Sequence, residues 1–330
     1  MTDQQRPAES ATSAPDPKHL RHTDSLNTID DVMSALAARA YIADRGLATA
    51  LFLAFKRHKP LLLEGEPGVG KTEVARVLAD ILHTRLIRLQ CYEGIDQSTA
   101  VYEWNYARQL LAIRMLDNAR GPRESRETAI AHVHDVFAPE YLIERPLLQA
   151  ITTAPGEHAP VLLIDELDRS DAEFEAYLLE LLGDYQITIP EIGTITASEP
   201  PVVVLTSNRT RDIHDALRRR CFYYWIEYPS LEKEYAIVRA RVPASSELLA
   251  RQVVGFVQAL RGEDLFKAPG VAETLDWLTA LLALGQTELT GSAARDALGA
   301  LLKYQDDIQK VTNGDLIDRL VEKANATPIA

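Results

Sequence analysis

Nine consecutive residues, Gly65, Glu66, Pro67, Gly68, Val69, Gly70, Lys71, Thr72 and Glu73, hold the side-chain types that grip a phosphate chain. Three glycines at this spacing let the backbone turn tightly and aim its N–H groups inward at anionic oxygens. Lys71 adds a mobile cation for the terminal phosphates, and the Thr72 hydroxyl is a hard oxygen ligand suited to Mg²⁺. The run lies between an apolar stretch, Leu61–Leu63, and a helical stripe of Val74, Val77, Leu78 and Ile81. A strand before and a helix after are what the loop needs, because the positive helix N-terminus adds to the attraction for anions. The spacing predicts a nucleotide site.

Further candidates sit where other apolar runs end. Val161–Ile164 stops at Asp165 and Glu166. A carboxylate at a strand's C-terminal edge beside such a loop suits Mg²⁺ held through its water shell, and a second acid suits a general base that polarises water. Val202–Leu205 leads through Thr206 and Ser207 to Asn208, whose amide can sense a terminal phosphate or the attacking water, or simply satisfy a turn. Arg218, Arg219 and Arg220 follow. They read either as a basic surface or as a trans-acting finger that neutralises charge on a transferring phosphoryl group, and the second reading predicts a ring. Arg295, at the start of a later helix, reads either as a phosphate sensor or as an ordinary helical arginine.

The elements that must place these residues are legible in outline. Leu61–Leu63, Leu86–Leu89, Val161–Ile164, Val202–Leu205 and Phe222–Ile226 are short apolar runs separated by helical stretches. Continuous apolarity favours buried parallel strands, so the expected fold class is α/β: a doubly wound, parallel five-stranded core. Order is expected to start at a helix cap near Asn27–Asp31, after a disordered tail at 1–24, with Gly46 separating two helices. Beyond Pro229 only helical stripes remain, including Tyr235–Val242, Leu248–Leu260, Val271–Leu284, Ser292–Gln309 and Asp315–Lys323. An α/β nucleotide-binding domain at 25–228 and an all-helical lid domain at 229–330 follow. Inserts near 91–145 and 185–197 interrupt the first, the latter alternating as a β-hairpin around Pro190 and Gly193.

Bulk properties narrow the class. The chain has 330 residues and a formal charge of −13, which disfavours non-specific nucleic-acid binding. Two distant cysteines, Cys91 and Cys221, suggest a reducing compartment. No run is long and apolar enough for a membrane span, and the cytoplasm is the expected location. His132 and His134 alternate beside Asp135, a spacing that points the two rings apart on a helix and so disfavours a shared metal. The Tyr102–Tyr106 aromatics with Arg108 suit packing within the insert, or a client-facing surface, better than base stacking.

Taken in order, the motifs resemble those of an AAA+ ATPase: Walker A at 65–72, Walker B at 161–166, sensor 1 at Asn208, a finger at Arg220 or Arg219, and sensor 2 at Arg295. Within that class, Gly291–Arg295 is similar to the Gly-Ala-Ser-Pro-Arg element of MoxR ATPases, and Thr206–Cys221 is similar to the CoxD-like branch. Two departures stand out. Arg-Arg-Arg-Cys replaces the family's Leu-Asp-Arg-Phe, which splits the finger between Arg219 and Arg220, and Ala294 replaces the proline of sensor 2. The resemblance implies ATP and Mg²⁺ as ligands and a homo-oligomeric ring, a hexamer. It also implies chaperone-like remodelling with a von Willebrand factor A domain partner and a client metalloenzyme, of the molybdenum type in carbon monoxide dehydrogenase-like enzymes. The competing readings are an AAA+ nucleic-acid motor and the ATPase subunit of a metal chelatase. The uncharged or acidic hairpin tip, Ile189–Gly193, weighs against the first.

Overall fold

The computed structural model describes residues 26–119, 136–154 and 157–326. The expected tail, the charged stretch at Arg120–Arg126 and the His132–Asp135 group lie outside the described residues. The chain opens with α1 (Ile29–Ala37) and α2 (Arg45–Arg57), then β1 (Leu61–Gly65), α3 (Lys71–Ile81) and β2 (Leu86–Gln90). A short helix α4 (Gln97–Ala100) leads to an antiparallel ribbon of β3 (Tyr102–Trp104) and β4 (Leu142–Glu144), with α5 (Tyr106–Ala119) between them in sequence. Next come α6 (Pro146–Ile151), β5 (Val161–Asp165), α7 (Ala172–Asp184), and the hairpin β6 (Gln186–Ile189) and β7 (Gly193–Thr196). β8 (Val202–Ser207), α8 (Asp215–Arg218) and β9 (Phe222–Ile226) complete this part.

Five strands form one sheet in the order β2-β5-β8-β1-β9, all pairs parallel. All five expected strands are present. Side chains alternate across a strand, so each run feeds two cores. Leu62, Leu162, Ile164, Val203 and Leu205 pack on one face with Leu147, Leu148, Phe174, Leu178 and Leu181 of α6 and α7. Leu61, Leu63, Val161, Leu163 and Val204 pack on the other with Leu36, Leu51, Val74 and Leu78 of α1, α2 and α3. Burial on both faces is the physical reason that these strands read as unbroken apolar runs rather than as alternating ones.

The N-terminal helix begins as its cap predicts: Thr28 and Asp31 bond each other's backbone N–H in a reciprocal capping box. Gly46 does not separate two helices. It lies in the first turn of α2, and the break runs over 38–44 with Asp44 as N-cap. Glycine is needed there for space, since a Cβ would come within 2.9 Å of the Tyr224 ring.

Between Leu231 and Ala326 the chain is helical and surrounds a core of its own. It comprises α9 (Leu231–Arg241), α10 (Glu247–Leu260), α11 (Val271–Ala283), α12 (Gly291–Asp296), α13 (Leu298–Leu301), α14 (Gln305–Thr312) and α15 (Leu316–Ala326). The stripe expected as one helix over Ser292–Gln309 is three short ones. Leu302 turns extended, which lets Leu298, Leu301 and Leu302 all enter the core, and Gln305 starts a fresh helix.

Candidate functional site

Gly65 ends β1 against the backbone of Ile226, where a Cβ would collide with that residue's carbonyl oxygen. The chain then turns through 66–70 into α3, whose first residue is Lys71. The buried Lys71 ammonium donates to the carbonyls of Gly65 (2.7 Å) and Glu66 (2.8 Å). Burial pulls its pKa down to about 8, against the opposing pull of Asp168, Glu66, Asp165 and Glu166.

The parallel register brings the acids of β5 beside this loop. Thr72 Oγ1 donates to Asp165 Oδ1 at 3.0 Å, and Thr206 Oγ1 at the end of β8 donates to the same oxygen at 2.5 Å. The Thr206 oxygen also accepts the Glu166 N–H at 2.9 Å, so one hydroxyl fixes both acids. Arg88, on β2, holds the far oxygen of Asp165 with Nε (3.1 Å) and Nη2 (2.5 Å). Gln90, paired with Asp165 in the register, donates to Glu166 Oε2 at 2.9 Å, and Arg169 Nε reaches that oxygen at the same distance. Glu166 itself adopts a left-handed backbone, φ +54°, a conformation that side chains other than glycine and asparagine resist.

Asn208 is placed by a buried acid. Asp168 accepts the N–H of Asn208 (3.2 Å), the N–H of Thr210 (2.8 Å) and the Thr210 hydroxyl (2.6 Å). Burial alone would raise the Asp168 pKa, but these donors outweigh it and hold the group ionised. The Asn208 side-chain amide makes no hydrogen bond among the described residues and lines the cleft.

That cleft is a cavity of about 540 Å³. Its floor holds Pro67 through Glu73, Asp165, Glu166, Thr206 and Asn208. One wall comes from the segment before α2 (Tyr41, Ile42, Asp44), and another from α9 and α11 (Ile237, Arg241, Leu275). The apolar side chains of Ile42, Ile237 and Leu275 beside a polar floor suit a flat base joined to a phosphate chain. Two ion pairs cross the cleft, Lys233 to Asp44 at 2.9 Å and Arg241 to Glu73 at 2.6 Å. Asp44 also accepts the Tyr224 hydroxyl at 2.5 Å; burial works against its ionisation, yet that bond and the Leu47 N–H and Lys233 hold its pKa down at about 2.

Residues 60–221 match the family model of an AAA domain of the dynein-related subfamily. They are an AAA+ ATPase domain. The activity is ATP hydrolysis, and such ATPases bind ATP typically with Mg²⁺. Uncharacterized proteins of Staphylococcus aureus are 23% identical over 238 residues, covering 70% of this chain and 78% of theirs. One from Staphylococcus epidermidis is 22% identical over 215 residues, covering 63% of this chain and 70% of its own. Among solved structures, the Thermotoga maritima RuvB Holliday junction branch migration motor aligns with 86% of this chain and 74% of its own, at 16% identity and a TM-score of 0.43.

The AAA+ domain offers Mg²⁺ a fitting pair of oxygens: the Thr72 hydroxyl and Asp165 Oδ1 sit side by side at the foot of the phosphate loop. No group of three or more His, Cys, Asp or Glu able to hold a metal occurs among the described residues. A cation that keeps its waters and borrows phosphate oxygens needs no such cage.

Not every expected residue reaches the cleft. Arg295 donates to Asp318 at 2.7 Å within the helical region and is absent from the cavity wall. Arg218 is bound to the buried Glu64 at 2.7 Å, and Arg220 donates to the Leu179 carbonyl. The Arg219 side chain is exposed and makes no hydrogen bond or ion pair among the described residues. Thr206, Arg88, Gln90 and Asp168 escaped the sequence reading. Gln90 and Arg88 were within reach of it, because the end of the strand beside β5 must face the same acids. No helix among the described residues is long and apolar enough to cross a membrane.

Proposed function

We propose that the chain is a MoxR-type remodelling ATPase that works as a homo-oligomeric ring, a hexamer, and draws on ATP hydrolysis to mature a partner metalloenzyme. The observation that carries the hydrolytic half is the convergence of Lys71, Thr72, Asp165, Glu166 and Asn208 on one cleft of nucleotide size. Lys71 and the N–H groups of 68–72 bind the β- and γ-phosphates. Bound at Thr72 and Asp165, Mg²⁺ supplies charge neutralisation on those phosphates. Glu166, steered by Gln90 and Arg169, takes the proton of the attacking water, and the Asn208 amide orients that water. Arg219 is the finger offered to the neighbouring subunit, because Arg218 and Arg220 are already engaged within their own chain. The helical region from 229 onward moves as a lid over the base.

The client half rests on motif similarity and on the hairpin tip. Pro190, Glu191 and Ile192 carry no positive charge, which supports a protein client and a von Willebrand factor A domain partner over a phosphate backbone. Glu166→Gln tests the reading. The variant is expected to bind ATP, lose hydrolysis by at least about a hundredfold, and retain client and partner on affinity capture in ATP. Turnover near wild type removes Glu166 as the base, and DNA-stimulated hydrolysis in the unmutated protein overturns the protein-client assignment.

A further inference from the structure

Residues 266–270 form the second half of the connection from α10 to α11, and a side chain holds each of them. Asp307 accepts the N–H of Phe266 (2.7 Å) and of Lys267 (3.2 Å). The Tyr228 hydroxyl donates to the Ala268 carbonyl (3.3 Å), and Arg261 Nε to the Pro269 carbonyl (2.8 Å). Glu273 accepts the N–H of Gly270 (3.0 Å). Arg261 is itself fixed by two bonds of 2.7 Å to the fully buried Glu234, with its guanidinium over the Tyr228 ring.

This braced segment ends against the phosphate loop. The Ala272 N–H donates to the Gly68 carbonyl at 3.1 Å. A Cβ on Gly270 would lie 2.8 Å from the Pro67 oxygen and 2.9 Å from the Gly68 carbonyl carbon. A Cβ on Gly68 would lie 2.6 Å from a Glu273 carboxylate oxygen and 3.2 Å from the Gly270 Cα. Two glycines thus bring backbone against backbone at the apex of the loop. The Gly270 backbone, φ −85° and ψ −175°, is open to any residue, so glycine is required there for space alone.

We propose that residues 266–272 are a strut that holds the phosphate loop in its binding shape, with Gly270 as the positioning residue. The proposal rests on reading residues 65–72 as the nucleotide site. The strut engages the Gly68 carbonyl and leaves the loop's N–H groups to the phosphates. A loop that is already ordered loses less backbone freedom when the ligand arrives, so affinity rises without any contact between strut and nucleotide. Arg295 bonds Asp318 instead, and the helical region meets residues 65–73 through this backbone contact and the Arg241–Glu73 pair.

Gly270→Ala in the full chain tests it, read by amide hydrogen exchange without nucleotide and by binding of fluorescently labelled ADP. Exchange in 65–70 is expected to speed up while that of 249–260 stays at the wild-type rate, and labelled ADP is expected to bind about tenfold more weakly. Gly299→Ala, where an added Cβ meets nothing within 4 Å, is the control and leaves both readouts unchanged. If the first variant does not accumulate, Ala272→Pro removes the donor to Gly68 in the first turn of α11, where that N–H makes no bond within the helix, and it carries the same expectations. Wild-type exchange in 65–70, or affinity within twofold of wild type, overturns the strut. Undiminished binding of labelled ADP by Lys71→Ala removes the nucleotide reading instead, and the exchange comparison then decides the strut alone.

Discussion

Thr206 carries more of the site than its position suggests. Its hydroxyl donates to Asp165 and accepts from the Glu166 N–H, so it fixes the proposed metal-side carboxylate and the backbone of the proposed base together. Hydrogen bonds to charged groups are worth about 1.5–3 kcal/mol. Thr206→Val keeps the shape and removes the hydroxyl, and is expected to slow ATP turnover by about tenfold while ATP affinity stays near wild type. Steady-state hydrolysis beside equilibrium ATP binding checks this; equal losses in both would assign Thr206 to binding. The same scale separates the three arginines. Their sequence positions are equivalent in charge, but their partners divide them into two engaged side chains and one that makes no side-chain bond among the described residues.

At the scale of elements, the helical region is held by a buried acid. Glu234 on α9 is fully buried and accepts from Gln258 on α10, from Arg261 at the end of α10 and from Thr274 on α11, so one carboxylate clamps three helices. Breaking such a pair by removing one partner costs about 3–5 kcal/mol, since an uncompensated charge stays buried. Arg261→Met is expected to destabilise by that amount, and adding Glu234→Met to recover much of it, as measured by urea denaturation. Additive losses in the double variant would show that packing, not charge, dominates here. The ribbon of β3 and β4 is a different kind of element. It buries Trp104 against Phe137 at 5.3 Å, which gives the aromatic cluster of the insert a packing role at that position. Tyr106 remains exposed.

At the scale of the molecule, the site is a seam. The sheet supplies the floor, while the segment before α2 and helices α9 and α11 supply the walls, joined by the Asp44–Lys233 and Glu73–Arg241 pairs. The seam thus borders the loop at 67–73 directly. On the proposed reading, a finger on Arg219 makes hydrolysis a property of an assembly. Mixing Arg219→Ala subunits with Lys71→Ala subunits is expected to restore about a quarter of the sites at equal ratios under random assembly, by the combinatorics of a two-subunit site. Hydrolysis that fails to recover in intact mixed rings would move the finger elsewhere, whereas recovery with Arg220→Ala alone would transfer the role to Arg220.

The local chemistry was legible in the residues themselves. Glycine spacing set the tight turn from β1 into α3, and unbroken apolar runs set five parallel strands, because a strand buried on both faces has no polar alternation to show. The capping box at Thr28 and the hairpin around Pro190 and Gly193 were equally local. Gly46 and the stripe at Ser292–Gln309 were not, since the Tyr224 ring decides the first and the packing of Leu302 the second. Which arginine is free, how Arg88, Gln90 and Thr206 surround the acids, and how Gly270 meets Gly68 depend on residues tens to hundreds of positions apart. Spacing along the chain fixes what a segment can form; the register of the strands and the seating of the helices fix what it touches.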